Sequence, residues 1–376
     1  MMSVSSLYIH IPFCLKRCLY CDFYSIPFNP SLSEDYIEAL LLEIEARMPG
    51  LDRLKTVYIG GGTPTALSIY SLDRLISKLY DIPWSDDIEI TIEANPCTVD
   101  REKIRILRDL GVNRFSLGIQ SFIDKELQIL GRIHNSSGGI DAIEILRDEG
   151  IENLSIDLIY GIPGQSIEDW GYNLSMAMRF SPEHISTYEL TLEEGTPLYS
   201  LVSEGILKKP GEDTIVGMYY DAVKGLTVAG YRHYEISNFS REGLECRHNI
   251  NYWERGRYTG LGAGAHSFEG EVRRENIRDV VKYIATLKRG ELPSEREMEI
   301  TREEALKEYI FLGLRKRDGL SKGFFEENFG IDITLIAGDI LEDGLLEMID
   351  GHIRLTEKGI TVSNSIIVRL FELLGL

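Results

Sequence analysis

The sequence has no apolar run approaching the roughly 18 residues of a membrane-spanning helix. Its opening, MMSVSS, lacks the basic segment and apolar core of a secretion signal. It also has no internal repeat and no low-complexity tract. A cytoplasmic protein without a transmembrane segment is expected, with membrane contact limited to peripheral docking or contact through a partner. Basic residues are scarce: 40 Lys and Arg stand against 60 Asp and Glu, for a net charge of −20. That field opposes non-specific attraction to nucleic acid or anionic lipid, so no nucleic-acid partner is expected. Cysteine is sparse too. Of five, Cys97 and Cys246 are scattered and three are clustered, which is not the even framework of a secreted disulfide scaffold and suits a reducing compartment.

At 376 residues the chain has room for one large α/β body and a smaller module. Short apolar runs at 7–11, 56–59, 88–92, 114–117, 154–159 and 184–189 read as strands. Amphipathic runs at 32–48, 71–79, 101–110, 139–148 and 168–180 read as helices between them. Six βα units with a parallel sheet are too few to close an eight-stranded barrel and enough for an open, partial (β/α)6 TIM-like barrel. Polar residues fall at or near the strand ends, at Gly60 to Pro64, Glu93, Gln120 and Asp157. In βα folds that end carries the active site. The division expected is a barrel over 1–270, a charged linker over 271–300 and a C-terminal module over 301–376. In that module, helices at 304–314 and 335–341 and a β-wing around 351–363 suggest a small winged-helix-like α+β unit. Its second helix is acidic, which speaks against reading DNA.

Cys14, Cys18 and Cys21 form CxxxCxxC directly after the first strand run. A loop that short can close three thiolates around one metal centre. Soft sulfur ligands select an iron–sulfur cluster, zinc or copper(I), and three thiolates on a four-iron cube leave one iron open for chemistry. The alternative is structural zinc with His10 as a fourth ligand.

The remaining motifs each have two readings. Gly61 and Gly62, before Thr63 and Pro64, let the backbone approach a ligand closely or simply make a tight turn. Glu93 is a hydrogen-bond acceptor at a barrel mouth or a solvated strand end. Asp157, between Ile156 and Leu158, needs donors if it is buried and ionised. Arg132 is a site residue or an exposed cation. His248-Asn249-Ile250-Asn251-Tyr252-Trp253 spells HNxxYW, which offers an axial haem ligand and two rings for a porphyrin face, or a hydrogen-bonded core histidine. Cys246 does not complete CxxCH, so covalent haem attachment is not indicated. GLGAGAHS, 260–267, lacks the third spaced glycine of a nucleotide fingerprint and reads as a tight turn, with His266 as an unsupported second haem ligand.

Taken together, YxHIPFC, the cysteine spacing, GGGTP and the run from Glu93 to Asp157 resemble the radical S-adenosylmethionine (SAM) superfamily. Within it they resemble the oxygen-independent coproporphyrinogen III oxidases and their relatives, over nearly the whole chain. The resemblance implies a [4Fe-4S] cluster on Cys14, Cys18 and Cys21, with SAM on the open iron. It implies SAM contacts from Tyr8, Gly61, Gly62, Thr63, Glu93, Gln120, Arg132, Asp157, Ile159 and Thr191. True oxidases carry CxxxCxxCxC and a longer leading segment, whereas Phe23 stands at the last cysteine position here and 13 residues precede Cys14. CxxxCxxCxF with HNxxYW is instead similar to the HemW-type haem chaperones. That similarity implies a haem site at His248, Asn249, Tyr252 and Trp253, and delivery of haem to respiratory enzymes. The cluster and SAM then serve binding, homodimerisation or transfer, with haem-donor and electron-donor proteins as further partners. Porphyrinogen decarboxylation, and a cluster- or zinc-bearing structural module without SAM chemistry, remain as alternatives.

Overall fold

A computed structural model describes residues 4–376. Six parallel strands lie in sequence order: β1 (Val4–Ile11), β2 (Leu51–Gly61), β3 (Trp84–Ala94), β4 (Arg114–Gln120), β5 (Leu154–Tyr160) and β6 (His184–Glu189). Beyond β6 the antiparallel pair β7 (Arg232–Glu235) and β8 (Asn238–Ser240) extends one edge, with β8 against β6. Beyond β1 the short β9 (Thr259–Leu261) adds a parallel strand at the other edge. The nine-stranded sheet does not close. Both edge additions escape sequence reading because strands of three or four residues carry too little periodicity to register.

Each core strand alternates, and the alternation separates two environments. On one face Leu7, Ile9 and Ile11, Val57 and Ile59, Ile90 and Ile92, Phe115 and Leu117, and Ile156 and Leu158 are buried. They pack with the helices α1 (Pro30–Arg47), α2 (Ile69–Leu79), α3 (Arg101–Asp109), α4 (Ser136–Asp148) and α5 (Ile167–Arg179) in one apolar core. On the other face, toward the barrel lumen, stand Tyr8, Tyr58, Glu89, Thr91, Glu93, Arg114, Ser116, Ser155, Asp157, His184 and Ser186. Many of these bond to one another across strands. The five helices start on side-chain caps from Asn29, Ser68, Asp100, Asn135 and Ser166, each accepting from an N–H of the first turn.

The helices that follow the barrel strands include α6 (Glu212–Val228) and α7 (Arg247–Trp253). The second carries HNxxYW, and the Glu89 carboxylate accepts from the backbone N–H groups of Arg247 and His248 at its start. That pins the helix to the lumen side of β3.

The stretch 271–300 is not a linker. After β10 (His266–Glu269) it forms β11 (Val272–Asn276), α8 (Val280–Lys288) and β12 (Ser294–Glu299), with β10, β11 and β12 in one antiparallel sheet. Its charges are paired across the ladder, Arg274 with Glu297 and Glu269, while Val280, Tyr283, Ile284 and Leu287 of α8 are buried. Buried Glu43 of α1 collects the Tyr283 hydroxyl at 2.6 Å, the Asn276 amide at 2.8 Å and the Gly262 N–H at 2.8 Å. The turn at 260–267 is therefore a packing device: Gly262 has φ +101° and a Cβ there would meet the His10 carbonyl oxygen at 2.5 Å.

The C-terminal residues form α9 (Arg302–Gly313), α10 (Lys322–Phe329), the short α11 (Ile333–Ile336) and α12 (Gly338–Glu342), and α13 (Ser363–Leu374). Their small sheet runs β13 (Leu320–Ser321), β15 (His352–Leu355), β14 (Leu346–Ile349). The hairpin turns at Asp350 and Gly351, both with positive φ, and Glu357–Ile360 is a helical turn, so no strand lies over 360–363. The single helix expected over 335–341 is two short ones.

Candidate functional site

The cysteine loop leaves the C-terminal end of β1. Leu19 and Tyr20 anchor it by packing with Leu130, Ile159, Ile162, Leu190 and Leu198, and Leu19 exchanges backbone hydrogen bonds with Leu130 and Leu198. The thiols lie partly buried between these anchors. Thr63 directs its hydroxyl at Cys14 Sγ (3.7 Å) and Arg132 Nη1 lies 3.3 Å from Cys18 Sγ. Arg132 Nη2 donates to the Gly118 carbonyl at 2.6 Å, which fixes the guanidinium, and its buried Nε has no partner. Burial pushes the Cys14 and Cys21 thiols above their ordinary pKa, with neighbouring thiols adding to the rise. A bound cation would reverse that balance by favouring thiolates. Among the described residues no three His, Cys, Asp or Glu side chains converge on one point that a single metal ion would fill. His10 has both nitrogens engaged, Nδ1 with the Tyr8 hydroxyl at 2.9 Å and Nε2 with the Tyr24 carbonyl at 3.0 Å.

Glycines fit the second strand's end to that loop. Gly61 has φ +112°, and a Cβ there would lie 2.5 Å from the His10 ring, while one on Gly62 would lie 2.7 Å from the Phe13 carbonyl oxygen. Only a chain without side chains runs this close, with Gly62 and Thr63 donating N–H bonds to Ile11 and Phe13.

Beside it, Glu93 accepts from the Tyr58 hydroxyl (2.8 Å) and the Gly61 N–H (3.0 Å). Burial raises the Glu93 carboxyl from 4.5 to about 7, against the lowering effect of those two hydrogen bonds. No cation pairs with it in a salt bridge among the described residues, so an ammonium group would complete its surroundings. Asp157 has the donors it needs in the hydroxyls of Ser116 at 3.0 Å and Ser155 at 3.2 Å, with Ser186 a third; its carboxyl is still raised by burial. Gln120 sits at a register shift between β4 and β5 with φ +67°, an unusual backbone for a residue with a side chain. Tyr8 stacks on Tyr58, Ile159 packs under the cysteine loop, and Thr191 is exposed on the loop after β6.

The HNxxYW motif divides. His248 is fully buried, and its ring bonds Thr56 Oγ1 through Nδ1 (2.9 Å) and the Tyr252 hydroxyl through Nε2 (2.9 Å). It stacks on Tyr58, and burial, with Arg114 nearby, lowers its pKa to about 3. Expected as an axial ligand, it has neither nitrogen free for iron in this fold. Asn249, Tyr252 and Trp253 line a cavity of about 290 Å³, and Tyr252 keeps its hydroxyl on His248. Sequence reasoning missed Tyr58, Ser116, Ser155 and His184, although the polar alternation in TVYIG, RFSLGIQ, LSIDLIY and HISTYE carries the signal.

Comparison with known proteins adds the following. Residues 8–176 match the radical SAM superfamily and residues 300–362 the HemN C-terminal domain. The haem chaperone HemW of Bacillus subtilis is 37% identical, over 96% of this chain and 98% of that one. That of Lactococcus lactis is 35% identical over 96% of each. A mouse mitochondrial protein, radical S-adenosyl methionine domain-containing protein 1, is 32% identical over 97% of this chain and 87% of its own. Among solved structures, Escherichia coli coproporphyrinogen III oxidase shares the fold, with a TM-score of 0.83 at 22% identity over 98% of this chain and 90% of that one.

Proposed function

This chain belongs to the radical SAM superfamily and, within it, to the HemW family of haem chaperones, and on that premise we propose that it binds haem and delivers it to haem-dependent respiratory enzymes. Membership in the superfamily carries a [4Fe-4S] cluster and SAM with it. Cys14, Cys18 and Cys21 are the residues to hold the cluster, and Tyr8, Gly61, Gly62, Thr63, Glu93, Gln120, Arg132, Asp157, Ile159 and Thr191 those to surround SAM. When bound, the cluster with SAM supplies a one-electron reductive centre. Glu93 accepts from an ammonium group, Asp157 and its serines offer an anchored acceptor deeper in the lumen, and Arg132 offsets charge at Cys18.

The observation that carries the haem reading is the position of α7. Its Tyr252 and Trp253 line a cavity in the same lumen whose rim bears the cysteines, and flat aromatic walls suit a porphyrin. In this reading Asn249, Tyr252 and Trp253 touch haem and His248 orients Tyr252 from behind. Two assays on anaerobically reconstituted protein test the function. Haemin should give a saturable Soret band, and coproporphyrinogen III with SAM and a reductant should stay undecarboxylated. Formation of vinyl products without haem binding would make the chain an oxidase.

A further inference from the structure

Three buried polar atoms without a hydrogen-bond partner belong to residues that line one cavity: Arg315 Nε, Trp253 Nε1 and Asn238 Oδ1. Arg315 follows α9, Trp253 ends α7 and Asn238 opens β8, so three separate elements bring them together. The Arg315 guanidinium makes no salt bridge among the described residues and is held instead over the rings of Phe311, at 4.4 Å, and Trp253, at 5.9 Å. A half-buried cation in no salt bridge carries a desolvation cost that lowers its pKa, and the charge of Glu235 acts against that cost. Tyr188 and Tyr252 add aromatic walls.

Glu235 also lines the cavity, and its carboxylate is the charge nearest in character to a competitor for Arg315. Burial raises it from 4.5 to about 7, with hydrogen bonds from Ser237 and Asn238 and the charge of Arg315 acting the other way. Near neutral pH it is thus largely able to share a proton with a second carboxylate. A guanidinium, an indole N–H and a protonatable acid between aromatic walls suit a planar aromatic acid bound by its carboxylate.

We propose that this cavity is the subsite for the propionate-bearing edge of haem, with Arg315 as the carboxylate partner and Trp253 as a second donor. The inference rests on the haem-chaperone reading and deepens it. At about 290 Å³ the cavity is at the lower limit of small-molecule sites, so it takes one edge of the macrocycle and not the whole ring. It also places the propionates away from the cysteines. From Glu93 at the rim, Tyr58, His248 and Tyr252 form a continuous chain of contacts to the cavity wall.

The test compares haemin with its dimethyl ester on the full, cluster-reconstituted chain, read by Soret titration. The intact protein should bind haemin about tenfold or more tightly than the ester. Arg315→Met should remove that preference by weakening haemin while leaving ester affinity unchanged, and Arg315→Lys should retain part of it, since an ammonium is a point charge without the planar fork. Asn238→Asp, which adds a negative charge beside Arg315, should likewise weaken haemin alone. Equal loss for both ligands would make Arg315 a structural residue and overturn the subsite. Unchanged haemin binding in Arg315→Met and Asn238→Asp would also overturn it and leave the chaperone reading standing, whereas an intact protein that binds neither ligand would overturn both.

Discussion

Glu93 carries two opposed demands. Without a ligand its carboxyl is raised to about 7 by burial, so between its unfolded value of 4.5 and that pH the native state holds a proton that the unfolded chain has lost. Its contribution to stability therefore falls as pH rises through that window and stays lost above it. In Glu93→Gln that slope disappears. Relative to the unchanged protein, the SAM-free variant should gain on the order of 1–2 kcal/mol between pH 5 and pH 8, read by denaturant unfolding. Glu235, raised to the same range, keeps its own slope in both proteins. The variant should also bind SAM at least about tenfold more weakly by calorimetry, since a charge-assisted bond becomes a neutral one. A parallel pH dependence in the two proteins would remove Glu93 from this role. His248 has the opposite character. His248→Ala leaves the Thr56 and Tyr252 hydroxyls without their partner and opens a void, at about 2–4 kcal/mol of stability. The Soret maximum of the haem-loaded variant should not move, and a shifted maximum would put iron on His248.

Among the elements, α7 depends most on one contact. Its seven residues are too few to be stable alone, and Glu89 holds its first N–H groups inside the lumen. Glu89→Ala should lower stability by about 2–3 kcal/mol and loosen α7, seen as faster amide exchange over 247–253 than over β3. What could be read from sequence follows the same logic of scale. All six parallel strands and their five helices were readable because long runs average out local ambiguity, and β6 has the expected bounds of 184–189. The ordered stretch 271–300 was not, because its charges look like a solvated linker until the Arg274–Glu297 pairing and the Glu43 contacts are seen. Likewise the histidine of HNxxYW is identical on paper whether it ligates iron or ties Thr56 to Tyr252. In this fold both of its ring nitrogens are engaged, by Thr56 and by Tyr252.

At the scale of the whole molecule, the proposed reading uses two sites on one lumen: the cysteines and the residues proposed for SAM at the strand tips, and the aromatic cavity lined by Tyr252, Trp253 and Arg315. Between them stand Tyr58, His248 and Tyr252, all in contact and none exposed. Two separate sites allow cluster and haem to be held at once, whereas a shared site would make haem compete for the thiols. Among the described residues no helix is long and apolar enough to cross a membrane. The most direct measurement is electron paramagnetic resonance of the reduced cluster after loading one equivalent of haem. The signal should persist at full intensity and still shift on adding SAM. Loss of the cluster signal in step with haem uptake would show that haem occupies the cysteines and would contradict the account.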